Sequence, residues 1–386
     1  MPSSPRVLMV SQPTTEGVAV CVRELARAAV SVGYDVTVAC PGTGQLAGWA
    51  AEHGARWERL EMRRSPHPSD ICAFTRLREL VRGHALVHLH SSKAGALGRL
   101  ALASLGRRRP PSVFTPHGWS WLVGGWQAPI YRLVERALLP VTSAVLAVSD
   151  EERASGQAAL APGQDSILVN PNGVDPARFR PDGPRTARSA DPLVLDVGRL
   201  SHQRGPDIAV AALALMRTPS VRLRLVGDGP DRAGIERQAA TLGVADRVEL
   251  AGRRPDTAPD IRAADVVVVP ARYDGMALVT LEAMACGAAI VATRVAGSSC
   301  LDGAGILVPP EDPASLAEAV DTLLAMPGER KRLGSAARAQ VVERYPVERS
   351  VEHTLALWQE LGVTPADNRG APEMPAGFPT GGREEL

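Results

Sequence analysis

The chain has no C-x-x-C pair and no apolar run approaching the ~20 residues that a membrane span needs. Its five cysteines (Cys21, Cys40, Cys72, Cys286 and Cys300) are odd in number and widely spaced, which argues against a structural zinc site or a disulfide framework. The apolar stretch Val7–Val10 is too short for a secretory h-region, so a cytoplasmic protein is expected. The formal net charge of +1 lacks the basic excess of a dedicated nucleic-acid binder, and no nucleic-acid partner is expected. What is present is an ordinary soluble composition, 45% apolar and 22% charged. At 386 residues the chain is too long for one ordinary core and suggests two domains of ~150–200 residues.

Strand and helix patterns alternate from the start. Val7–Val10 reads as a strand that breaks at Ser11–Gly17. A helical pattern follows with apolar residues at Val18, Val22, Leu25, Ala26, Ala29 and Val30; Gly33 ends it, and 35–39 is the next strand. The same grammar recurs at 86–90, 112–115, 144–148 and 166–169, with a helix at about 94–105. Around 180–192 a Pro/Gly/Arg stretch without periodicity marks the expected domain boundary. Strands resume at 193–197, 222–226, 266–269 and 289–292. Polar residues lie just past the strand ends, where open parallel sheets bind ligands. The expected fold is therefore α/β, with two Rossmann-like domains facing each other across an interdomain cleft. The tail from Thr364 is Pro/Gly-rich and charged and is expected to be disordered.

The stretch 270–287 carries the most chemistry. A strand ends at Val269, a loop carries Asp274, and a helix begins near Ala277. The free N–H groups of that first turn favour an anion such as a diphosphate, and Glu282, farther along the helix, can reach a sugar or ribose hydroxyl. A plain strand-loop-helix with solvated acids is the competing reading.

At this point a resemblance becomes specific. The spacing from Asp274 to Glu282 resembles the E-x7-E pattern of retaining glycosyltransferases of family 4, which have the GT-B fold. Gly198–Gly205 (GRLSHQRG) resembles the family's G-R-L-x-x-x-K-G, and Val226–Pro230 its V-G-x-G-P. Asn172-Gly-Val-Asp175 with Phe179 and Pro181 is similar to its N-G-V-D-x-x-x-F-x-P segment, and Gly303–Pro310 to its G-x-G-x-L-V-x-P turn. The pieces occur in order over about 350 residues.

The resemblance implies a division of labour. Residues 1–182 would bind the acceptor, with a C-terminal helix at about 346–361 packing back on them. Residues 190–345 would bind the nucleotide sugar, and 364–386 would be the tail. Arg199 and Arg204 would grip the donor diphosphate, whose charge grows as it leaves. Gly198, Gly229, Met276, Ala277 and Leu278 would line the donor, Glu282 would bind its ribose, and Asp274 would contact the transferred sugar. Three positions depart from the pattern. Arg204 stands where Lys is usual, Asp274 where Glu is usual, and Ala277 where a glycine is usual.

In the first half, Gly17 matches the family's glycine-rich loop after the first strand. His117 in Thr115–Trp119 matches a histidine beside the transferred sugar; an imidazole there could donate to a hydroxyl or to developing charge. His88 and His90 alternate on a buried-looking strand and are taken as packing or polar lining, with no third ligand for a metal. No D-x-D triplet exists, so no metal and no other cofactor is expected.

The activity implied is retaining transfer of a hexosyl group from a UDP- or GDP-sugar to a hydroxyl, as in polysaccharide biosynthesis. The acceptor would be a glycan, a lipid-linked molecule or a small molecule. Two alternatives stand beside it: a catalytically weak GT-B partner protein that binds nucleotide sugar, and an epimerase on the same fold. A phosphorylase would need a cofactor lysine, and Lys93 and Lys331 lie in no suitable motif. Residues 56–109 hold twelve Arg/Lys against four Asp/Glu, and Trp119, Trp121 and Trp126 follow closely. Basic and aromatic residues together point to peripheral contact with an anionic membrane, at its inner face; a solvated basic face is the plainer reading.

Overall fold

A computed structural model describes residues 4–160, 167–188, 190–218 and 220–365. It divides into two compact units. The first comprises 1–170 and 349–386, the second 171–348. The tail expected to be disordered lies, from residue 366 on, outside the described residues.

The first unit is a seven-stranded sheet of β1 (Arg6–Ser11), β2 (Asp35–Cys40), β3 (Arg56–Arg59), β4 (Leu86–His90), β5 (Ser112–Thr115), β6 (Ala144–Ala147) and β7 (Ile167–Val169). Its order is β3-β2-β1-β4-β5-β6-β7, and every pairing is parallel. β1, β2, β4, β5 and β6 read as near-continuous apolar runs because helices cover both faces. β3 is not expected from the sequence. It is an edge strand, RWER, whose exposure removes the apolar pattern a sequence would display.

The helix Glu16–Ser31 buries Ala19, Val22, Leu25, Ala26 and Ala29 against the sheet, and Gly33 follows at φ 98°. That positive φ is why the helix stops there. The helix expected near 94–105 spans Ser92–Ala103. At the other end of the chain, the helix Val347–Glu360 places Leu355, Leu357 and Trp358 in the same core as Val7 and Val36. Trp358 stands edge-on to Tyr34 at 5.4 Å. Asn170 Nδ2 donates to the Ser350 carbonyl and to Thr354 Oγ1, both at 2.9 Å, and so ties β7's end to this helix.

The second unit is a six-stranded parallel sheet of β8 (Leu193–Val197), β9 (Arg222–Val226), β10 (Val248–Gly252), β11 (Val266–Val269), β12 (Ile290–Thr293) and β13 (Ile306–Val308), ordered β10-β9-β8-β11-β12-β13. The stretch expected to link the domains is bound to this unit. Arg262 donates to the carbonyls of Arg178, Arg180 and Pro184, which places the passage between units at 170/171.

In each sheet the strand order reverses beside the first strand, between β1 and β4 and between β8 and β11. Loops leaving such neighbours diverge to opposite faces and open a crevice past the carboxyl ends, the standard ligand position of doubly wound sheets. Both halves therefore have the strand order at which such a crevice forms.

Candidate active site

In the second unit β8 leads into Gly198–Arg199, and β11 into the loop carrying Asp274, so the two loops flank the reversal point. Glycine lets the surrounding backbones close up. A Cβ on Gly205, at φ 68°, would sit 2.1 Å from the Pro270 carbonyl oxygen, and one on Gly229 2.2 Å from that of Leu200. The V-G-D-G-P turn and the G-R-L loop thus touch backbone to backbone, as do the loops after β8 and β11. Arg272 reinforces the second contact with a forked pair to Asp207, at 2.8 and 2.6 Å, and a bond to the His202 carbonyl at 2.8 Å. Nothing in the sequence singles out Arg272, because its partners lie about 65 to 70 residues away.

Arg204 and Asp274, the first two departures from the family pattern, meet directly. Arg204 Nη1 donates to Asp274 Oδ2, and Asp274 Oδ1 accepts from the Gly275 N–H at 2.9 Å. Arg is longer than Lys and Asp shorter than Glu, so the exchanged pair spans a similar gap. Asp274 is buried. Arg199 differs: it is half-buried, and its guanidinium has no hydrogen bond or ion pair among the described residues. Behind this pair, Asp196 near the end of β8 is pushed up to about 7 by burial, with the charge of Arg204 working against the rise. A polar residue inside LVLDV is the one clue to it in the sequence.

The helix Leu278–Ala285 starts at Ala277, whose backbone is extended, and no side chain caps it. Its first N–H groups remain available to an anion. Met276 and Ala277 are buried, and the Met276 carbonyl accepts from Asn172 Nδ2 at 2.8 Å. Through that bond the N-G-V-D segment fixes the loop that precedes the helix. Glu282 accepts from Thr257 Oγ1 at 3.4 Å. Its side chain is partly exposed, yet desolvation pushes the carboxyl up to about 7, offset in part by Arg178. Arg199, Arg204, Asp274, Glu282, Gly198, Gly229, Met276, Ala277 and Leu278 all belong to this unit.

Gly17 and His117 belong to the first unit. Gly17 is the second residue of the helix that follows β1. His117 follows β5 at φ 54°, a conformation costing a non-glycine residue ~1–3 kcal/mol. The loop is held in it by Glu152. One carboxylate oxygen accepts from the Gly118 N–H at 2.5 Å and the other from the Val148 N–H at 2.6 Å, while the Glu152 carbonyl accepts from Trp119 Nε1 at 2.7 Å. His88 and His90 do line the interior, but they do not stand apart from His117. His90 Nδ1 lies 3.2 Å from His117 Nε2, and His88 stacks on His90 at 4.1 Å. Burial pushes His117 down to about 4 and His88 to about 3. These imidazoles are neutral at physiological pH. Among the described residues no group of three His, Cys, Asp or Glu is placed to hold a metal ion.

Two parallel doubly wound units, the second with two arginines on the loop after its first strand and an uncapped helix start preceded by a carboxylate, have the architecture of GT-B nucleotide-sugar transferases. Residues 15–178 match the family described as Glycosyltransferase Family 4, and 191–326 that described as Glycosyl transferases group 1. The chain is 34% identical over 328 residues to the D-inositol 3-phosphate glycosyltransferase of Segniliparus rotundus, covering 77% of this chain and 72% of that protein. It is 32% identical over 366 residues to the protein of the same description from Frankia alni, covering 83% and 89%. Anabaena HepE in complex with UDP and glucose has the same fold, with a TM-score of 0.78 at 20% identity over 92% of this chain and 99% of that one. The chain belongs to glycosyltransferase family 4 and is a GT-B glycosyltransferase that uses a nucleotide sugar.

Proposed function

We propose that this enzyme transfers a hexosyl group, with retention, from a UDP-sugar to a hydroxyl of a glycan, lipid-linked or small-molecule acceptor in the cytoplasm. The second unit takes the donor and the first the acceptor. The observation that carries the reading is Arg199, a permanent, half-buried charge without a partner among the described residues, on the loop beside the Arg204–Asp274 pair. Together with the helix start at Leu278 these groups suit a diphosphate leaving group, whose growing charge they stabilise as it departs. Glu282 suits a ribose diol, and Asp274 retains lone pairs for a sugar hydroxyl while it orients Arg204. UDP is favoured over GDP because the HepE structure of the same fold holds UDP and glucose. The curated relatives, described as acting on D-inositol 3-phosphate, favour a small polyol acceptor.

Calorimetry with UDP across pH tests the donor half. Because burial pushes Glu282 up to about 7, it is mostly protonated below that pH and cannot accept both ribose hydroxyls. UDP affinity is expected to rise through pH 7 and to fall by up to about tenfold per unit below it. Glu282→Gln should bind more weakly and flatten the profile, leaving whatever Asp196 contributes. A wild-type profile flat from pH 5.5 to 8.5 would remove Glu282 from the ribose.

We further infer that the first unit rests on an anionic lipid surface, through a narrower patch than composition suggests. Five of the block's twelve basic residues are ion-paired: Arg56 with Asp35, Arg59 with Glu61, Arg76 with Glu58 and Glu79, Lys93 with Asp70, and Arg99 with Glu135. Trp119 and Trp121 are buried and stacked on each other, so neither reaches a surface. What supports the reading is the helix Ala128–Leu138, which exposes Ile130 at 50% and Leu133 at 68%, with Trp126 at 77% just before it. Arg132 on the same helix and Arg107–Arg109 are exposed too. Basic residues near an anionic surface are worth about 1 kcal/mol each. Co-sedimentation should show binding to anionic vesicles that salt weakens, and Leu133→Asp should lose it. Equal, negligible binding to anionic and neutral vesicles would leave a soluble acceptor. No helix of the described residues is long and apolar enough to cross a membrane.

A further inference from the structure

On sequence alone His90 reads as packing or polar lining, and its side chain meets His117 directly. His90 is 3% exposed, at the end of β4, with the neighbouring strand pairing it to Thr115. Its Nδ1 faces His117 Nε2 at 3.2 Å, and the two rings lie 25° apart with centroids at 5.5 Å. Its other nitrogen, Nε2, is buried without a hydrogen-bond partner. On its far side His88 stacks at 4.1 Å and bonds Thr115 Oγ1 at 2.9 Å.

Two neutral imidazoles joined nitrogen to nitrogen share one proton, so one nitrogen donates and the other accepts. Which one donates follows from the orphaned atom. If His90 carried its proton on Nε2, a buried N–H would have no acceptor, the rarer and costlier kind of orphan; a bare ring nitrogen there is the more tolerable one. The proton therefore sits on His90 Nδ1 and is donated to His117 Nε2. His117, neutral and with Nε2 accepting, must then carry its own proton on Nδ1. The nitrogen that His117 has left to offer is a donor.

We propose that His90 is a positioning residue that holds His117 as its Nδ1–H tautomer, so that His117 acts on a sugar hydroxyl or on developing negative charge as a hydrogen-bond donor and not as a base. This rests on the reading that places His117 at the sugar. The arrangement is the second-layer logic by which the bond at one ring nitrogen sets what the other can do.

The test begins with the unaltered full chain, labelled with ¹⁵N-histidine. Long-range ¹H–¹⁵N spectra near pH 7, with the His117 signals assigned by their loss in His117→Gln, should show Nδ1 protonated and Nε2 bare. A protonated Nε2 on His117 overturns the proposal without recourse to any variant. His90→Phe keeps a stacked ring and removes the donor; His117 should then become a tautomer mixture. The value of kcat should fall by roughly tenfold or more, less than the ~10²–10⁴ of a full acid–base group. Donor KM should change by less than about twofold. His90→Asn, whose amide N–H takes the place of Nδ1–H, should recover most of the loss. Unchanged kcat in His90→Phe, or no recovery in His90→Asn with His117's tautomer unaltered, also overturns it. Full activity in His117→Gln would instead sink the placement of His117 at the sugar, a failure separate from that of the tautomer.

Discussion

Arg199→Ala is expected to lower kcat/KM for the nucleotide sugar by about two to three powers of ten while leaving the melting temperature close to wild type. The size follows from removing one preorganised donor to a developing anion, worth ~3–4 kcal/mol. The indifference of the fold follows from the side chain's lack of any partner among the described residues: truncating it leaves no buried group unsatisfied. Arg204→Ala is the informative contrast. It strips the partner from Asp274, a carboxylate only 6% exposed, so activity and stability should fall together. Arg199→Lys keeps the charge but loses the planar fork and should sit between wild type and alanine. Steady-state kinetics with a UDP-sugar and a thermal melt on the same preparations decide it. Near-normal turnover in Arg199→Ala would place the diphosphate elsewhere.

Glu135→Ala should destabilise the first unit by about 3–5 kcal/mol, a loss of roughly 6–20 °C in its melting temperature. Arg99 and Glu135 form an ion pair at 2.6 Å with side chains 1% and 3% exposed. The Arg99 guanidinium also lies over Phe114 at 4.0 Å, and its Nε donates to the Gly95 carbonyl at 2.9 Å. Removing the carboxylate strands a permanent cation in the interior, since arginine does not deprotonate. The pair sets the rotation of the helix Ala128–Leu138. With Glu135 and Leu138 turned inward, Ile130, Leu133 and Val134 face out. An apolar double replacement, Arg99→Met with Glu135→Leu, should cost far less than either single change, because no charge is then stranded. Denaturation of the three variants measures this. A Glu135→Ala protein as stable as wild type would mean that Arg99 finds solvent or another acceptor.

A strand's apolar run and the glycine or charge just past it are written in consecutive residues, and those are legible. The alternation of strand and helix places Gly198, Arg199, Asp274 and His117 past the ends of parallel strands, and topology puts the first three beside the point where the second sheet's strand order reverses. The order of the motifs is enough to name the family. Edge strands β3, β10 and β13 escape: β3 is exposed and β10 only half-buried, so neither needs a clean apolar pattern, and β13 is three residues inside what reads as a turn.

What the tertiary structure alone decides is every property that depends on who meets whom. A charge block has a sign in sequence, but its net field depends on carboxylates that fold back onto it; five of the twelve basic residues in this one are ion-paired, Arg56 and Arg99 with Asp35 and Glu135 from outside the block. Tryptophans two apart look like a surface cluster until Trp119 and Trp121 stack inside the core. Arg204 and Asp274 are two separate departures 70 residues apart, and only contact makes them one pair. His90 reads only as packing or polar lining because a histidine's tautomer is set by the group opposite it, here 27 residues on. Periodicity and backbone chemistry are local and survive in the linear order; pairing, desolvation and protonation come from atoms that folding brings together from distant parts of the chain.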